Sequence, residues 1–487
     1  MADTTNDHGD TPPPPKPLIN LLRGWPSPHL LPASLLRTAA DYVLADPSIS
    51  VPVLQYGIDP GYQPLREELA RWLTAQYASP AAISPDEIAI TGGASQSLAC
   101  ILQSFTDPGY TRAVWAVAPC YFMACPIFDD AGFYGRLRAV PEDDEGVDVE
   151  ALARGLREAD DAAGADPSPT RRFKSATPHL RKLYRHVIYL VATCSNPSGK
   201  TLSLARREKL IHLARKHDAL IISDDVYDLL QWPVTPPPEG DESSPLPPLL
   251  PLLSQIDLAL GPSPHNPSQD SSFFSHAISN ASFSKLVGPG VRTGWIHASP
   301  AFAAGFAHTG TNRSGGAASQ FAAAVVWRVL STGALQGYLD GTVRPALARR
   351  WRLMVGVLEQ EVGGLGVRVW RGNGVGGAGT MDERGEMFGG YFVWLTLPGG
   401  LDAEEVAERA RVEEELVIAP GRLFEVSGDE GAARFPGNVR LCFSWEEEEN
   451  IVEGVVRFGR VLRRMLAGEA GGKGKGEAGE VEADKFK

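Results

Sequence analysis

An α/β architecture built on a mainly parallel sheet is the fold class this sequence predicts, and three features predict it. Short apolar runs recur without the strict alternation of a half-solvated strand, which is the pattern of strands buried on both faces. Amphipathic helical patterns separate them, so that strand, helix and strand follow one another repeatedly. The chain has 487 residues, 43% of them hydrophobic, enough for a sizeable core and too long for one ordinary domain.

The elements follow in order. Ile88–Thr91, Ala113–Ala118, His186–Ala192 and Leu220–Ser223 are predicted strands. Gln63–Tyr77, Ser95–Phe105, Leu204–Lys216 and a long stretch near Gly333–Val362 are predicted helices. In the third of these, Leu204, Leu210, Ile211, Leu213 and Ala214 share one face, opposite Arg206, Arg207, Lys209 and Lys216. Residues 1–17 are polar and proline-rich, and 467–487 are Gly/Glu/Lys low complexity, so both ends read as disordered tails. Residues 233–272 hold eleven prolines, which predicts a surface insertion with neither a central strand nor a regular helix. Smaller polar insertions lie near 160–182 and 371–386.

Several function classes are disfavoured at once. The net charge is −13 with scattered basic residues, so no nucleic-acid partner is expected. No apolar run is long enough to cross a bilayer, and the start lacks a signal-peptide pattern. Five cysteines show neither close pairing nor zinc spacing, which predicts a reducing, cytoplasmic setting and no metal.

In open parallel sheets ligands bind beyond the carboxyl ends of the strands, so the segment after each apolar run is where function is sought. Gly92-Gly93-Ala94-Ser95-Gln96 follows the first run and opens a helix, a place where backbone N–H groups and the helix dipole hold an anion. Taken alone it is better read as a glycine turn with a serine N-cap. Tyr121 follows the second run, and Ser195-Asn196-Pro197-Ser198-Gly199 the third; a packed ring and a plain turn are their structural readings. Asp224-Asp225-Val226-Tyr227 follows LIIS, so at least one carboxylate is expected to point into a site. SFSKLVGPGVRTGW then sets Lys285 and Arg292 among hydroxyls and glycines, where the backbone can approach something small.

One sheet edge thus offers a phosphate cradle, a flat ring, an amide, a buried carboxylate beside a phenol, and a lysine. Lysine amines join carbonyls covalently when their pKa is lowered. Pyridoxal 5′-phosphate supplies an aldehyde for the lysine, a phosphate for the cradle, and a ring nitrogen that a carboxylate keeps protonated. Lys285 is then the covalent anchor. Asn196 and Tyr227 can bond the ring's 3-oxygen, Tyr121 can stack, and Arg292 with Ser282 can complete the phosphate shell.

GGASQ, NPSG, LARKHDALIISDDVYDLLQW and SFSKLVGPGVRTGW, in this order, resemble the class I/II aminotransferases of fold-type I. The last two are most similar to the kynurenine/2-aminoadipate aminotransferase subgroup. The resemblance runs from about Asn20 to about Leu466. It implies a large domain with a mainly parallel seven-stranded sheet and a smaller α+β domain. On that pattern the chain divides into a segment 18–50 joining the small domain, a large cofactor-binding domain 51–320 and a C-terminal domain 321–466. It implies that Ser95 and Gln96 meet the phosphate and that Asp224, not Asp225, holds the ring nitrogen. QYGIDPGYQPLR resembles the family segment whose tyrosine reaches the neighbouring subunit's phosphate, which assigns that role to Tyr56 and implies a homodimer with shared sites. INLLRGWPSPHLLP resembles the segment lining the substrate pocket, so Gly24 makes room beside the cofactor. Arg440, in the apolar run NVRLCFSW, is costly to bury unpaired. A bidentate grip on a substrate α-carboxylate explains it, and a salt bridge to one of Glu446–Glu449 is the structural alternative. TGTNRSGGAA, residues 309–318, is a candidate for shaping the pocket, and Arg23 for meeting an acidic substrate side chain.

The expected activity is amino-group transfer from an aromatic or 2-aminoadipate-like L-amino acid to a 2-oxo acid by ping-pong chemistry, Lys285 moving the proton. β-Elimination, as in a C–S lyase, is the alternative on the same scaffold. A cofactor-sensing transcription regulator would need a basic DNA-binding module, and only an acidic, proline-rich stretch precedes residue 18.

Overall fold

The computed structural model describes residues 16–162, 173–174, 181–235, 248–266, 273–316, 318–371 and 386–468. Its large sheet is built from β1 (Ile88–Thr91), β2 (Ala113–Ala118), β3 (Leu137–Asp143), β4 (Gly146–Val147), β5 (His186–Leu190), β6 (Ala219–Asp224), β7 (Ala277–Ser282) and β8 (Gly294–His297). The spatial order is β1-β8-β7-β6-β5-β2-β3-β4. Pairings from β7 through β6, β5 and β2 to β3 are parallel. β8 runs antiparallel to both neighbours, and β4 is a two-residue hairpin partner of β3. Seven strands therefore make the sheet proper, as expected for a fold-type I enzyme. The predicted strands and helices are present, with ends shifted by no more than two residues, except that the long stretch is broken by a widened turn at Leu339–Val343.

Both sheet faces are covered, which is why the strands read as continuous apolar runs. Side chains alternate between faces. Val114, Ala116, Val187 and Tyr189 meet α1 (Ala94–Phe105) through Leu98, Ile101 and Phe105. Trp115, Val117, Ile188 and Ile221 meet α2 (Leu204–Lys216) through Leu210, Ile211 and Ala214.

Two expectations about this second face need correction. Leu204 is exposed, and Arg207, placed by periodicity among the solvent-facing cations, is buried. Its guanidinium donates to Thr193 Oγ1 at 2.7 Å, Pro251 O at 2.9 Å and Leu202 O at 3.2 Å. Loop carbonyls buried beneath the helix need donors, and periodicity cannot see that need. The proline-rich stretch 233–272 is likewise no mere surface excursion. Gln231–Pro233 pairs with Met387–Gly389, and α3 (Leu253–Ala259) packs on α2 and β7 with Leu252 and Leu253 buried. Proline disfavours regular structure only where it stands, and the Leu-rich run between prolines has an apolar face to bury. Residues 236–247 and 267–272 of the stretch lie outside the described residues. Leu253→Ala is expected to destabilise the fold by about 2–5 kcal/mol, read as a lower denaturant midpoint; an unchanged midpoint would return the segment to the surface.

Two smaller boundaries also move. Lys16 and Pro17, assigned to the N-terminal tail, are docked: Lys16 pairs with Glu414 at 2.5 Å and Pro17 O accepts from Arg457 at 2.7 Å. Asp160, at the start of a polar insertion, belongs to the end of the helix Val149–Ala162 and pairs with Arg112, His186 and His217.

A second, antiparallel sheet is formed by β9 (Arg368–Val369), β10 (Phe392–Thr396), β11 (Ala419–Pro420) and β12 (Asn438–Cys442) in the order β9-β10-β12-β11. It packs with α4 (Arg344–Val362) and α5 (Glu448–Leu466), whose Leu358, Val362, Ile451 and Phe458 share one core with Val393, Leu395 and Leu441. Ile19–Asn20 pairs with Leu416–Val417, which brings the following residues, Leu22 to Pro26, between the two sheets. Among the described residues no helix is long and apolar enough to cross a membrane.

Candidate active site

A cavity of about 260 Å³ opens beyond the carboxyl ends of the large sheet. Every segment predicted to follow a strand contributes to its wall, because parallel strands end on the same edge. Lys285 stands in the short turn Phe283–Lys285 directly after β7. Its Nζ donates to Gly24 O at 2.7 Å and lies 5.1 Å from the Tyr391 ring centre and 6.0 Å from that of Tyr227. Burial brings its ammonium down to about 8, with Cys442 and Asp224 resisting and Arg440 assisting. No carboxylate forms an ion pair with it among the described residues, so the amine is held close to release of its proton.

Asp224 is the last residue of β6 and points into this cavity. Its Oδ2 accepts from Tyr189 OH at 2.8 Å, while its Oδ1 is buried with no partner. Burial pushes the carboxyl up to about 6, opposed by the Tyr189 hydroxyl and the Lys285 ammonium. An ionised carboxylate there is costly unless a cation or donor meets it. Asp225, one residue on, faces away from the cavity: it accepts from Ser223 Oγ and lies near Asp228 and Arg207.

The anion cradle is assembled from two segments. β1 leads through Gly92-Gly93 into α1, and Gly93 has φ +105°, where any Cβ would collide with Arg292 Nη2. Only glycine fits there. Arg292 donates to Gly92 O at 2.6 Å and Ser284 Oγ at 3.2 Å, which sets its guanidinium at the N-terminus of α1 beside Ser95. Ser282 Oγ is 2.8 Å from Ser284 Oγ, and both serines line the cavity.

Tyr121, Asn196 and Tyr227 form further walls. Burial and the nearby Asp224 charge push the Tyr121 phenol up to about 12. Arg440, on β12, is buried; it donates to Asn196 Oδ1 at 2.9 Å and to Leu22 O. Its guanidinium lies 3.9 Å from the Phe392 ring centre, and its Nε has no partner. Burial brings it down to about 10. No salt bridge reaches it among the described residues. Glu446 accepts from Asn20 N instead, Glu447 pairs with Arg350, and Glu448 with Arg349. Gly24 is tightly placed: a Cβ there would stand 2.7 Å from Phe392 Cζ.

Two expected contributors, Gln96 and the 309–318 segment, lie elsewhere, and Tyr56, assigned to a neighbouring subunit's phosphate, stands outside this cavity. Gln96 turns back on its own helix, accepting from Gly92 N at 3.1 Å and donating to Cys100 Sγ at 3.0 Å. It does not line the cavity, because its position in the first turn of the helix points it aside. Tyr56 is 87% exposed and borders a second cavity of about 470 Å³ with Asn312, Arg313, Ser314 and Gly315. The described residues of the 309–318 segment therefore border that cavity and not the one holding Lys285. Conversely, Tyr189, Ser284, Tyr391 and Phe392 surround the site without having been singled out. Tyr189 carried a signal, a lone hydroxyl inside an apolar strand; Tyr391 donates to Lys285 O at 3.3 Å from a segment distant in sequence.

The comparisons with known proteins agree with this geometry. The sequence model of the family Aminotransferase class I and II matches residues 37–458. An uncharacterized protein of Saccharomyces cerevisiae is 33% identical, over 91% of this chain and 97% of its own. Aromatic-amino-acid aminotransferase 1 of Thermococcus litoralis is 27% identical, over 92% of this chain and 89% of its own. The crystal structure of LysN, the alpha-aminoadipate aminotransferase of Thermus thermophilus complexed with N-(5′-phosphopyridoxyl)-L-leucine, superposes with a TM-score of 0.68. It is 26% identical, and the match covers 92% of this chain and 93% of that one.

Proposed function

The chain belongs to the class I and II aminotransferase family and is a pyridoxal-phosphate-dependent transaminase; from that premise we propose which of its residues do the work and on what substrates. The observation that carries the assignment is the unpartnered Oδ1 of Asp224 in the same cavity as an ammonium held at about 8. A protonated ring nitrogen satisfies the first, an aldehyde the second, and a phosphate fits the cradle of Ser95, Ser282 and Arg292 at the helix N-terminus. Bound there, the cofactor supplies an aldehyde for an amine and a ring that takes up the electron pair left at the α-carbon. Lys285 anchors the aldehyde and, once displaced by the substrate amine, carries the proton from the α-carbon. Asn196 and Tyr227 hold the ring's 3-oxygen, Tyr121 covers a ring face, and Arg440 grips the α-carboxylate through its free Nε and remaining Nη hydrogens.

Borohydride reduction of the yellow protein is expected to fix the cofactor to Lys285; recovery on another lysine would refute the assignment. An amino acid given without an acceptor is expected to convert the enzyme once and stop. Continuous ammonia release would favour β-elimination, which no observation now supports.

For substrates the reading is an aromatic or 2-aminoadipate-like L-amino acid. Leu22, Trp25, Pro26, Phe122, Met123 and Phe392 give the cavity an apolar side, and Arg23 rests 4.8 Å and 5.0 Å from the Trp25 and Trp445 rings. Relatives with these activities support the same choice, and amino-donor screening with identification of the oxo acid decides it. The protein acts, in this reading, as a cytoplasmic homodimer. Val51, Leu54, Tyr56 and Ile58 are exposed together, and a second copy covering them brings Tyr56 to the partner's phosphate. Size measurement in solution and mixing of Tyr56→Phe with Arg440→Lys subunits test it. The division at about residue 320 separates the large sheet from the antiparallel one, and limited proteolysis would show whether each part is a unit.

A further inference from the structure

Asn196 reaches the cavity from a tight turn, and a carboxyl outside the cavity underlies that turn. Ser195 N donates to Lys200 O at 2.9 Å and Gly199 N to Ser195 O at 2.6 Å, so residues 195–200 close on themselves. Beside them is Glu142, near the end of β3, its side chain 5% exposed. Its Oε2 has no hydrogen-bond partner and lies 3.8 Å from Lys200 Nζ. Lys200 donates instead to Asp143 O at 2.6 Å and rests 5.2 Å from the Trp370 ring centre. The buried hydroxyls of Ser198 and Ser195 both favour the charged form of the Glu142 carboxyl. A residue that merely filled this space would be less costly as leucine or methionine, since a buried carboxylate forfeits its hydration.

We propose that Glu142 is a positioning residue for substrate binding: its carboxylate, paired with Lys200 at 3.8 Å, ties down the turn that presents Asn196 to Arg440. The inference rests on Arg440 being the α-carboxylate grip. Arg440 Nη1 donates to Asn196 Oδ1 at 2.9 Å, so a turn that loosens lets the guanidinium drift from its bidentate geometry. The groups facing Glu142 are Lys200 and the two serines on the turn, Asp143 on its own strand and Cys120 beyond β2. Burial pushes the carboxyl up to about 7, with Asp143 adding and Lys200 and the serines opposing. Above that value the charged carboxylate pairs with the Lys200 ammonium. Below it the neutral acid gives up that pairing, and the turn loses its tie to β3.

The test is the affinity of the holoenzyme for 3-phenylpropionate, an unreactive carboxylate, measured by calorimetry from about pH 6 to about pH 8.5. In the wild type, binding is expected to tighten roughly fivefold across this range, about the factor one ion pair supplies. Glu142→Gln is expected to keep the cofactor absorbance and thermal midpoint yet bind with the wild type's pH 6 affinity throughout. A Glu142→Gln profile that follows the wild type would overturn the proposal. Arg440→Lys separates the two readings. If it binds as tightly as wild type, the carboxylate grip itself has failed; if it binds weakly while Glu142→Gln still follows the wild-type profile, only the role of Glu142 has.

Discussion

Asp224→Asn is expected to lower kcat by about a hundredfold or more, while Asp225→Asn leaves it within roughly threefold. Asp224 Oδ1 is the buried, unpartnered atom that faces the cavity, so an ionised carboxylate there can hold a ring nitrogen protonated. Asparagine keeps the shape but cannot stabilise that proton. A hydrogen bond to a charged group is worth about 1.5–3 kcal/mol, and more when its loss leaves a buried charge unpaired. At about 1.4 kcal/mol per factor of ten this gives the expected drop. Asp225 faces the other way, and burial with the neighbouring Asp228 charge raises its carboxyl well above the usual range. Its surroundings therefore favour the neutral form, for which an amide is a close substitute. Single-turnover rates with cofactor absorbance read the outcome; equal losses from the two changes would mean that the wrong carboxylate had been chosen.

Arg440→Lys is expected to weaken amino donors and oxo-acid acceptors together, lowering kcat/KM by about thirtyfold to a hundredfold for each. Arginine presents parallel donors in a fixed plane, which an ammonium cannot reproduce. The loss is compounded here because the guanidinium also holds Asn196 and the Leu22 carbonyl and lies against Phe392. Lysine in this buried setting leaves Asn196 Oδ1 without its donor. Cofactor occupancy should stay normal, since the cradle of Arg292, Ser95 and Ser282 is untouched. Steady-state kinetics in both half-reactions check the expectation. A defect confined to donors or to acceptors would show that Arg440 does not bind the group they share.

Much of the sheet was legible because its signal is local. IAIT, AVWAVA, HVIYL and ALIISD are buried on both faces and carry that history in every residue. The strands Ala277–Ser282 and Gly294–His297 were not read, because AISNAS and GWIH are polar enough to pass for loop; their polar groups are satisfied by neighbours such as Ser97 and Ser254. Arg207 and Leu253 were misplaced for a related reason. Periodicity and proline content describe a segment in isolation, while burial depends on what lies opposite.

By itself the sequence determined the order of the chemistry-bearing motifs and the strand ends on which they stand. It thereby determined that Ser95, Tyr121, Asn196, Asp224 and Lys285 would meet at one edge, since parallel strands terminate together. The resemblance named Asp224 over Asp225, but only the tertiary structure shows which of them faces that edge, that Arg440 reaches Asn196 from 244 positions away, and that Gln96 lies outside the cavity. Those outcomes are set by the twist of a strand end, by packing between two sheets and by the direction of a helix's first turn. Each is a long-range balance of burial and hydrogen bonding that no short stretch of residues encodes.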